Sequence, residues 1–243
     1  LGKLRMIRLY LRGDFTRIYS CLKRKCHVIS VLKKTAGFYL PFILFIGIGG
    51  VHLAFNYSDG LWVLWFCEHF DITRYEMFSW FTLLGEPQVL IPLALIFFLF
   101  NFGRGVFVVS TWFIASAVTI ILKGIIANHR PAYYFEDIFI SCAGELSLWY
   151  NLSTPSGHTT AAFAFFAALA ITTKNKGVQL VFLLVALLAG LSRLVLFMHY
   201  FYDVYFGAII GTACALIVWW CLNNNDRLKF VLWKNNTYRD LRK

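Results

Sequence analysis

Six long apolar segments follow one another along this chain, and they constrain its fold more than any other feature. They span residues 37–55, 88–102, 106–126, 159–173, 178–197 and 204–222. A helix needs about 20 mainly apolar residues to cross about 30 Å of hydrocarbon. The second and fourth segments are shorter, so we expect their helices to extend into neighbouring polar residues. The pattern predicts an all-α polytopic membrane protein, a six-transmembrane-helix bundle with interfacial helices.

The composition also favours a membrane fold over a water-soluble one. Charged residues make up 14% of the 243 residues and hydrophobic residues 59%, with a mean hydropathy of +0.66. Soluble domains carry about 25% charged residues, and the polar breaks here are too short for a separate soluble core. We therefore expect one membrane domain over 37–222, between a basic cytoplasmic or interfacial segment, 1–36, and a basic cytoplasmic tail, 223–243.

The basic residues lie on one side of this predicted bundle. With a cytoplasmic N-terminus, all but four of the 23 Lys and Arg residues fall on cytoplasmic segments, as the positive-inside rule favours. The exceptions are Arg74, Lys123, Arg130 and Arg193. The last three stand at outer span ends, against the topological trend, and we interpret them as candidate anion ligands.

The N-terminal segment 1–36 spaces apolar residues such as Leu4, Ile7 and Leu11 three and four positions apart among Lys and Arg. This spacing indicates an amphipathic helix on the membrane surface, and a topogenic tail with no further role is the alternative. The aromatic and glycine patterns of nucleic-acid-binding modules are missing, so we predict no nucleic-acid partner.

The segment 56–87 mixes Trp, Phe and Tyr with acidic residues. Such a mixture suits helices lying in the outer interface, with their rings at headgroup depth. A lipid headgroup would arrive at this segment. For a single ring such as Trp62, Trp65 or Trp80, an aromatic belt without a binding role is the alternative.

The six cysteines predict neither a disulfide framework nor a metal site. Only Cys67 and Cys142 could meet on the outer side, and the sequence leaves open whether they form a disulfide. There is no zinc spacing, P-loop or dinucleotide fingerprint. We expect no metal and no cofactor.

Three short motifs, each at the outer end of a predicted span, carry the chemistry. They are Lys123-Gly-Ile-Ile-Ala-Asn-His-Arg130-Pro131, Pro155-Ser156-Gly157-His158, and Ser192-Arg193-Leu-Val-Leu-Phe-Met-His199-Tyr-Phe-Tyr-Asp203.

The first motif spaces Lys123 and Arg130 by two helical turns, so a helix continued past the third span would carry both cations on one face until Pro131 ends it. Two cations on one face can grip a phosphate. Arg193 adds a planar donor fork that matches phosphate oxygens, and it would be costly in the outer half of a span without an anionic partner.

The second motif predicts an anion site at a helix start. Pro155 suits the first helical turn, with Thr154 or Ser153 as N-cap. The amides of Ser156 and Gly157 would then be unpaired and would point at an anion.

Two histidines and a carboxylate complete the set. If the backbone is helical there, His199 and Asp203 can hydrogen-bond, which fixes the tautomer and leaves Nε2 of His199 free to attack. His158, on a different helix, can donate a proton to the leaving oxygen and later help to activate water. This scheme needs no metal.

At these residues the chain resembles the type-2 phosphatidic acid phosphatase (PAP2) superfamily, whose signature is K-x6-R-P, P-S-G-H and S-R-x5-H-x3-D. All three parts match without substitution, and the resemblance covers about residues 80–222. It implies a six-helix layout with the motifs at the outer ends of the third, fourth and fifth helices.

The resemblance also implies roles for these residues. His199 would be the nucleophile, Asp203 its relay partner and His158 the acid, while Lys123, Arg130, Ser156, Gly157 and Arg193 would bind the phosphate. The family acts without metal on lipid phosphates and diphosphates. The short loops and small size look like those of a bacterial member, which would lie in the inner membrane. The distribution of Lys and Arg predicts cytoplasmic termini and a periplasmic site.

The substrate and the acceptor stay open at this stage. Lipid A, phosphatidylglycerol phosphate and undecaprenyl diphosphate all demand the same phosphate cradle, and the motifs say nothing about the oligomeric state. One alternative is a lipid phosphotransferase, which passes the phosphoryl group from His199 to an acceptor lipid. Another is a carrier that has kept the fold and lost the chemistry, which predicts broken motifs.

Overall fold

A computed structural model of the protein describes residues 31–55, 60–143 and 149–224, and the regular elements within these ranges are helical. The α-helices are α1 (Ala36–Phe55), α2 (Gly60–His69), α3 (Ile72–Thr82), α4 (Pro87–Phe100), α5 (Phe102–Ile126), α6 (Pro131–Ala143), α7 (Gly157–Thr172), α8 (Lys176–Val195) and α9 (Phe201–Asn224). A 3₁₀ turn, Leu83–Gly85, joins α3 to the residue before α4.

Polar residues between the apolar runs begin several of these helices. Asn101 caps α5 by accepting from the amide of Arg104, and Asn175 caps α8 by accepting from the amides of Gly177 and Val178. Asp71 caps α3 in the same way, through the amide of Arg74. Each cap satisfies amides that have no partner within the helix, so the polar breaks fix where the helices start.

All six predicted apolar segments fall on helices, but their lengths differ. Four helices, α1, α5, α8 and α9, are long and apolar enough to cross a membrane alone. Helix α4 reaches that length only together with the preceding segment Thr73–Gly85, from which it is bent by 44°. Helix α7 has 16 residues and is shorter than a span. The all-helical membrane fold is confirmed, and the count of six spans stays a prediction.

Helix α7 lies at the centre of the bundle and packs against α5, α8 and α9. Its residues from Thr159 to Ala170 are buried, including Phe163, Phe165 and Phe166. The outer helices instead expose large apolar side chains, such as Leu40 on α1 and Phe113 on α5. Exposed apolar surface on this scale suits contact with lipid chains.

Helix α9 approaches α7 so closely that two glycines are required at the contact. A Cβ on Gly207 would lie 2.9 Å from the carbonyl oxygen of Ser156, and one on Gly211 would clash with the carbonyl oxygen of Thr160. Only a residue without a side chain permits this separation. The contact places the first turn of α9, which carries Asp203, beside the residues that precede α7.

Several predictions concern residues outside the described ranges. These are the amphipathic helix expected within 1–36, of which only 31–36 are described, and nearly all of the basic tail expected over 223–243. The aromatic segment 56–87 contains α2 and α3, and their position in the outer interface stays a prediction. Cys67 on α2 is disulfide-bonded, and the side chain of Cys142 is outside the described part of the structure.

Candidate active site

The structure brings the three predicted motifs together at one end of the bundle. The hydroxyl of Ser153, just before α7, donates to Asp203 at the start of α9. Nζ of Lys123, near the end of α5, donates to the carbonyl oxygens of Leu152 and Ser153. Nη1 of Arg130 lies 3.4 Å from the carbonyl oxygen of Met198, beside His199. The predicted site residues therefore form one cluster built from four parts of the chain.

Lys123 and Arg130 do not share a helix, so this expectation was wrong. Helix α5 ends at Ile126, because Ala127 adopts a left-handed conformation with φ 49° and its amide closes the last turn on Lys123. Arg130 lies in the following loop, where its amide donates to the carbonyl of Tyr150. Pro131 disfavours helical backbone geometry at Arg130, the residue before it. The two cations still face the same cluster, since the loop folds back over residues 149–153.

The predicted capping of α7 was also wrong. The helix begins at Gly157 with Ser156 as N-cap, and Pro155 precedes it. The amide of Ser156 is not free, because it donates to the carbonyl of Asp203 over 3.0 Å. Ser153 and Thr154 do not cap the helix. Their hydroxyls bind the buried Asp203 carboxylate, which needs hydrogen bonds away from water.

His199 and Asp203 are paired, although the backbone between them is not a continuous helix. Nδ1 of His199 is 3.5 Å from Oδ2 of Asp203. His199 lies in a turn after α8, in which its amide and that of Met198 donate to the carbonyl of Arg193. Asp203 lies in the first turn of α9 and also accepts from the amide of Tyr200 over 2.9 Å. The pair leaves Nε2 of His199 as the nitrogen that can attack an electrophile.

Burial and charge keep the His199 ring neutral. The residue is 3% exposed, and burial, assisted by the cations Arg130 and Arg193, lowers the pKa of His199 below its ordinary value of 6.5. The nearby Asp203 carboxylate opposes that effect and raises the pKa. A neutral imidazole has the free lone pair that a nucleophile needs.

Arg193 and His158 are contacted by a segment that no motif marks. The guanidinium of Arg193 donates through Nη1 to the hydroxyl of Thr82, while its buried Nε has no hydrogen-bond partner among the described residues. Nε2 of His158 lies 3.3 Å from Oε1 of Glu86. One signal could have indicated Glu86 from the sequence, because it is an acidic residue just before an apolar segment, on the side predicted to hold Lys123, Arg130 and Arg193.

A cavity of about 390 Å³ opens beside these residues. Its lining consists of Ser79, Thr82, Glu86, Arg130, Trp149, His158, Arg193, Leu196 and Met198. The guanidinium carbon of Arg130 lies 5.8 Å from the centre of the Trp149 ring. Lys123, His199 and Asp203 are not part of this lining. The cavity can hold an anion between Arg130, Arg193 and His158.

The residues of all three motifs fall within a range that matches a known family. The family model of the PAP2 superfamily matches residues 104–227. The chain belongs to the PAP2 superfamily. It is accordingly a phosphoric ester hydrolase of the PAP2 type.

Two crystal structures of PAP2 proteins have the same fold. LpxE from Aquifex aeolicus is 26% identical, with a TM-score of 0.59, over 68% of this chain and 96% of its own. The first transmembrane PAP2-type phosphatidylglycerolphosphate phosphatase from Bacillus subtilis is 21% identical, with a TM-score of 0.59, over 77% of this chain and 97% of its own. The likeness to these PAP2 structures, together with the apolar helices, makes the chain an integral membrane protein. Thr82 and Glu86 precede the range that the family model matches.

Proposed function

We propose that this PAP2 protein removes phosphate from a membrane lipid phosphate or diphosphate through a phospho-histidine intermediate. The observation that carries the proposal is the buried His199–Asp203 pair beside a cavity lined by Arg130, His158 and Arg193. A neutral, oriented imidazole next to fixed cations is suited to attack on phosphorus.

The phosphate group would be bound by Lys123, Arg130 and Arg193, and at the start of α7 by the hydroxyl of Ser156 and the amide of Gly157. The unpartnered Nε of Arg193 supports this role, because a buried donor of a cation calls for an acceptor. Gly157 is the first residue of α7, where amides lack partners within the helix. Cations fixed in advance stabilise the negative charge of the transition state at no cost of reorganisation.

The reaction then proceeds in two steps. Nε2 of His199 attacks phosphorus while the bond to the leaving oxygen breaks, and His158 donates a proton to that oxygen. Water next gives a proton to His158 and attacks the phospho-histidine, which releases inorganic phosphate and restores His199. Asp203 holds Nδ1 throughout and stabilises the charge on the modified ring.

The charge for this chemistry comes from side chains. Within residues 31–55, 60–143 and 149–224, no three His, Cys, Asp or Glu residues are grouped as metal ligands. We propose that Lys123, Arg130 and Arg193 supply the positive charge, in a mechanism without metal or cofactor.

We place the site at the outer face of a bacterial inner membrane, with both termini in the cytoplasm. The distribution of Lys and Arg supports this orientation. The disulfide at Cys67 supports it as well, because disulfides persist in the periplasm and are rare in the cytosol. Cys67 lies on α2, near the carbonyl of Ile138 on α6, at the end of the bundle that holds the site.

The substrate classes that fit are lipid A, phosphatidylglycerol phosphate and undecaprenyl diphosphate. The experiment measures phosphate release by the purified protein in detergent from each lipid and from phosphatidic acid, with EDTA present and His199→Ala beside the wild type. Release by the wild type alone supports the proposal. A wild type that removes phosphate from the donor lipid only after a lipid acceptor is added, with the phosphate recovered on that acceptor, would show a phosphotransferase instead.

A further inference from the structure

The segment from Thr82 to Glu86, which lies outside the three motifs, contacts two side chains of the candidate active site, Arg193 and His158. Thr82 accepts a hydrogen bond from Arg193, and the Glu86 carboxylate lies 3.3 Å from the His158 ring. Glu86 occupies the N-cap position of α4, but its side chain makes no capping hydrogen bond. The carboxylate is therefore directed to the cavity instead of to its own helix.

A close backbone contact holds Glu86 in this position. Gly85 is buried, and a Cβ there would lie 2.7 Å from the carbonyl oxygen of His158. Pro87 fixes the first turn of α4 directly after Glu86. Glu86 thus lies between Gly85, which contacts the start of α7, and Pro87, which begins α4. Both neighbours limit how far the carboxylate can move from His158.

The charges around His158 explain why a carboxylate is needed there. Arg193 on α8, Arg130 in the loop before α6, Lys123 on α5 and His199 in the turn before α9 all act on the ring electrostatically. Each of these groups, when positively charged, makes the protonated form of His158 less stable. Glu86 is the acidic side chain that contacts the ring within the described residues. An adjacent carboxylate favours the charged form of a histidine.

We propose that Glu86 is a positioning residue that orients His158 and stabilises its protonated form, as Asp203 does for His199. The inference rests on the proposed function, in which His158 is the proton donor. In the first step the proton passes from His158 to the leaving oxygen, and Glu86 keeps the neutral ring in place. In the second step His158 takes a proton from water, and the Glu86 carboxylate balances the new positive charge.

The test compares two substrates that differ in their need for a proton. A short-chain alkyl phosphate has a poor leaving group that must be protonated, whereas the nitrophenolate of p-nitrophenyl phosphate leaves without one. We expect Glu86→Gln to lower kcat/KM, which reports the first step alone, by about 10- to 100-fold for the alkyl phosphate, part of the roughly 10²- to 10⁴-fold that general acid–base catalysis contributes. For p-nitrophenyl phosphate we expect kcat/KM to change by less than about threefold, since general acid catalysis is not used in its first step. His158→Ala should show the same selectivity with a larger loss.

The pH profile gives a second readout that a purely structural role would not move. Without the carboxylate, His158 loses its proton at lower pH, so the alkaline limb of kcat/KM for the alkyl phosphate should shift to lower pH in Glu86→Gln. Glu86→Asp keeps the charge and should restore part of the rate, which also covers a Gln variant that fails to fold. Glu76→Gln is the matched control, because Glu76 is an exposed acid on α3 that does not line the cavity.

The outcomes separate this inference from the proposed function. A wild type without phosphatase activity, or an active His199→Ala, overturns the proposed mechanism and this inference with it. If the wild type is active and His199→Ala is not, then equal losses of Glu86→Gln on both substrates, or no loss, overturn the inference alone. A Glu86→Gln variant with tighter inhibition by inorganic phosphate and higher kcat/KM would show that Glu86 only repels the anion, and would overturn it too.

Discussion

The hydroxyl of Thr154 donates a hydrogen bond to Oδ1 of Asp203 over 2.5 Å, although the two residues are 49 positions apart. Ser153 donates to the other oxygen, Oδ2, also over 2.5 Å. The carboxylate that orients His199 is therefore itself held by two hydroxyls from the residues before α7. Fully buried carboxylates need such partners, and the arrangement couples His199 to the second motif.

We expect Thr154→Val to lower the free energy of unfolding and to reduce kcat. The substitution keeps the shape of the side chain but leaves a buried carboxylate oxygen without its donor, which costs about 1–3 kcal/mol. Loss of the hydrogen bond from Thr154 to Asp203 should also reduce the rate of phosphate release by about tenfold. Thermal unfolding in detergent and kcat measure the two effects. Thr172→Val, which removes only a hydroxyl bonded to the carbonyl of Leu169, should match the wild type.

Asp203→Asn should leave the fold largely intact and abolish most of the activity. The amide can donate to Nδ1 of His199, so it favours the wrong tautomer and cannot stabilise the modified ring. In a serine protease triad the equivalent change lowers kcat by about 10⁴-fold, and we expect a loss of about 10²- to 10⁴-fold here. Wild-type turnover in this variant would contradict the role of Asp203.

Arg193→Lys should impair both substrate binding and turnover. Lysine keeps the charge but loses the planar fork, and its ammonium cannot reproduce both the bond to Thr82 and the donor at Nε. We expect kcat/KM to fall by about 10- to 100-fold, as for the loss of a charged hydrogen bond of about 1.5–3 kcal/mol. Steady-state kinetics give the result. Arg104→Lys, at the exposed start of α5, is the control and should leave the kinetics unchanged.

The acid limb of kcat/KM should lie below pH 6.5. Burial lowers the pKa of His199 to about 3, so the ring stays neutral and nucleophilic at pH values where an exposed histidine is protonated. The same shift has a consequence for stability. A histidine with a depressed folded pKa contributes fully above its unfolded pKa, and stability falls as the pH drops below 6.5 towards 3. Kinetics and melting between pH 7.5 and 5 test both, and a limb centred at 6.5 would contradict the burial of His199.

Gly211→Ala should destabilise the bundle more than a similar change elsewhere. The added methyl would clash with the carbonyl of Thr160 and force α9 away from α7, at a cost of about 1–3 kcal/mol for overpacking. Activity should fall as well, because the displacement would move Asp203 from Ser153 and Thr154. Gly47→Ala is the control, since nothing lies within 4 Å of its added Cβ. Equal melting temperatures of the two variants would argue against the tight contact.

Hydropathy predicted where the helices lie but not where they begin. Helix α5 starts at Phe102 instead of at Val106, because Asn101 caps it through the amide of Arg104. Such a cap is a hydrogen bond from a polar side chain, and the hydropathy of the following residues does not predict it. The motif residues were selected because phosphate chemistry needs those residue types, and the structure brings them into one cluster; their roles stay predictions.

The contacts that could not be predicted join distant parts of the chain. Glu86 and His158 are 72 positions apart, and they meet because Gly85 lets the turn after α3 touch the start of α7. The prediction that Arg130 continues the helix of Lys123 was wrong for a different reason. The left-handed conformation of Ala127 ends α5 early, and alanine carries no sequence signal for that conformation.

The 16 residues of α7 rise about 24 Å at 1.5 Å per residue, about 6 Å less than the hydrocarbon thickness of about 30 Å. If its far end reaches one boundary, His158 at its beginning stays below the other. The phosphate of a lipid would then have to sink beneath its usual resting level to react, while its chains remain in the leaflet. The depth to which a lipid headgroup can enter the membrane would then decide whether its phosphate reaches His158 and His199. The lipid would not have to leave the bilayer.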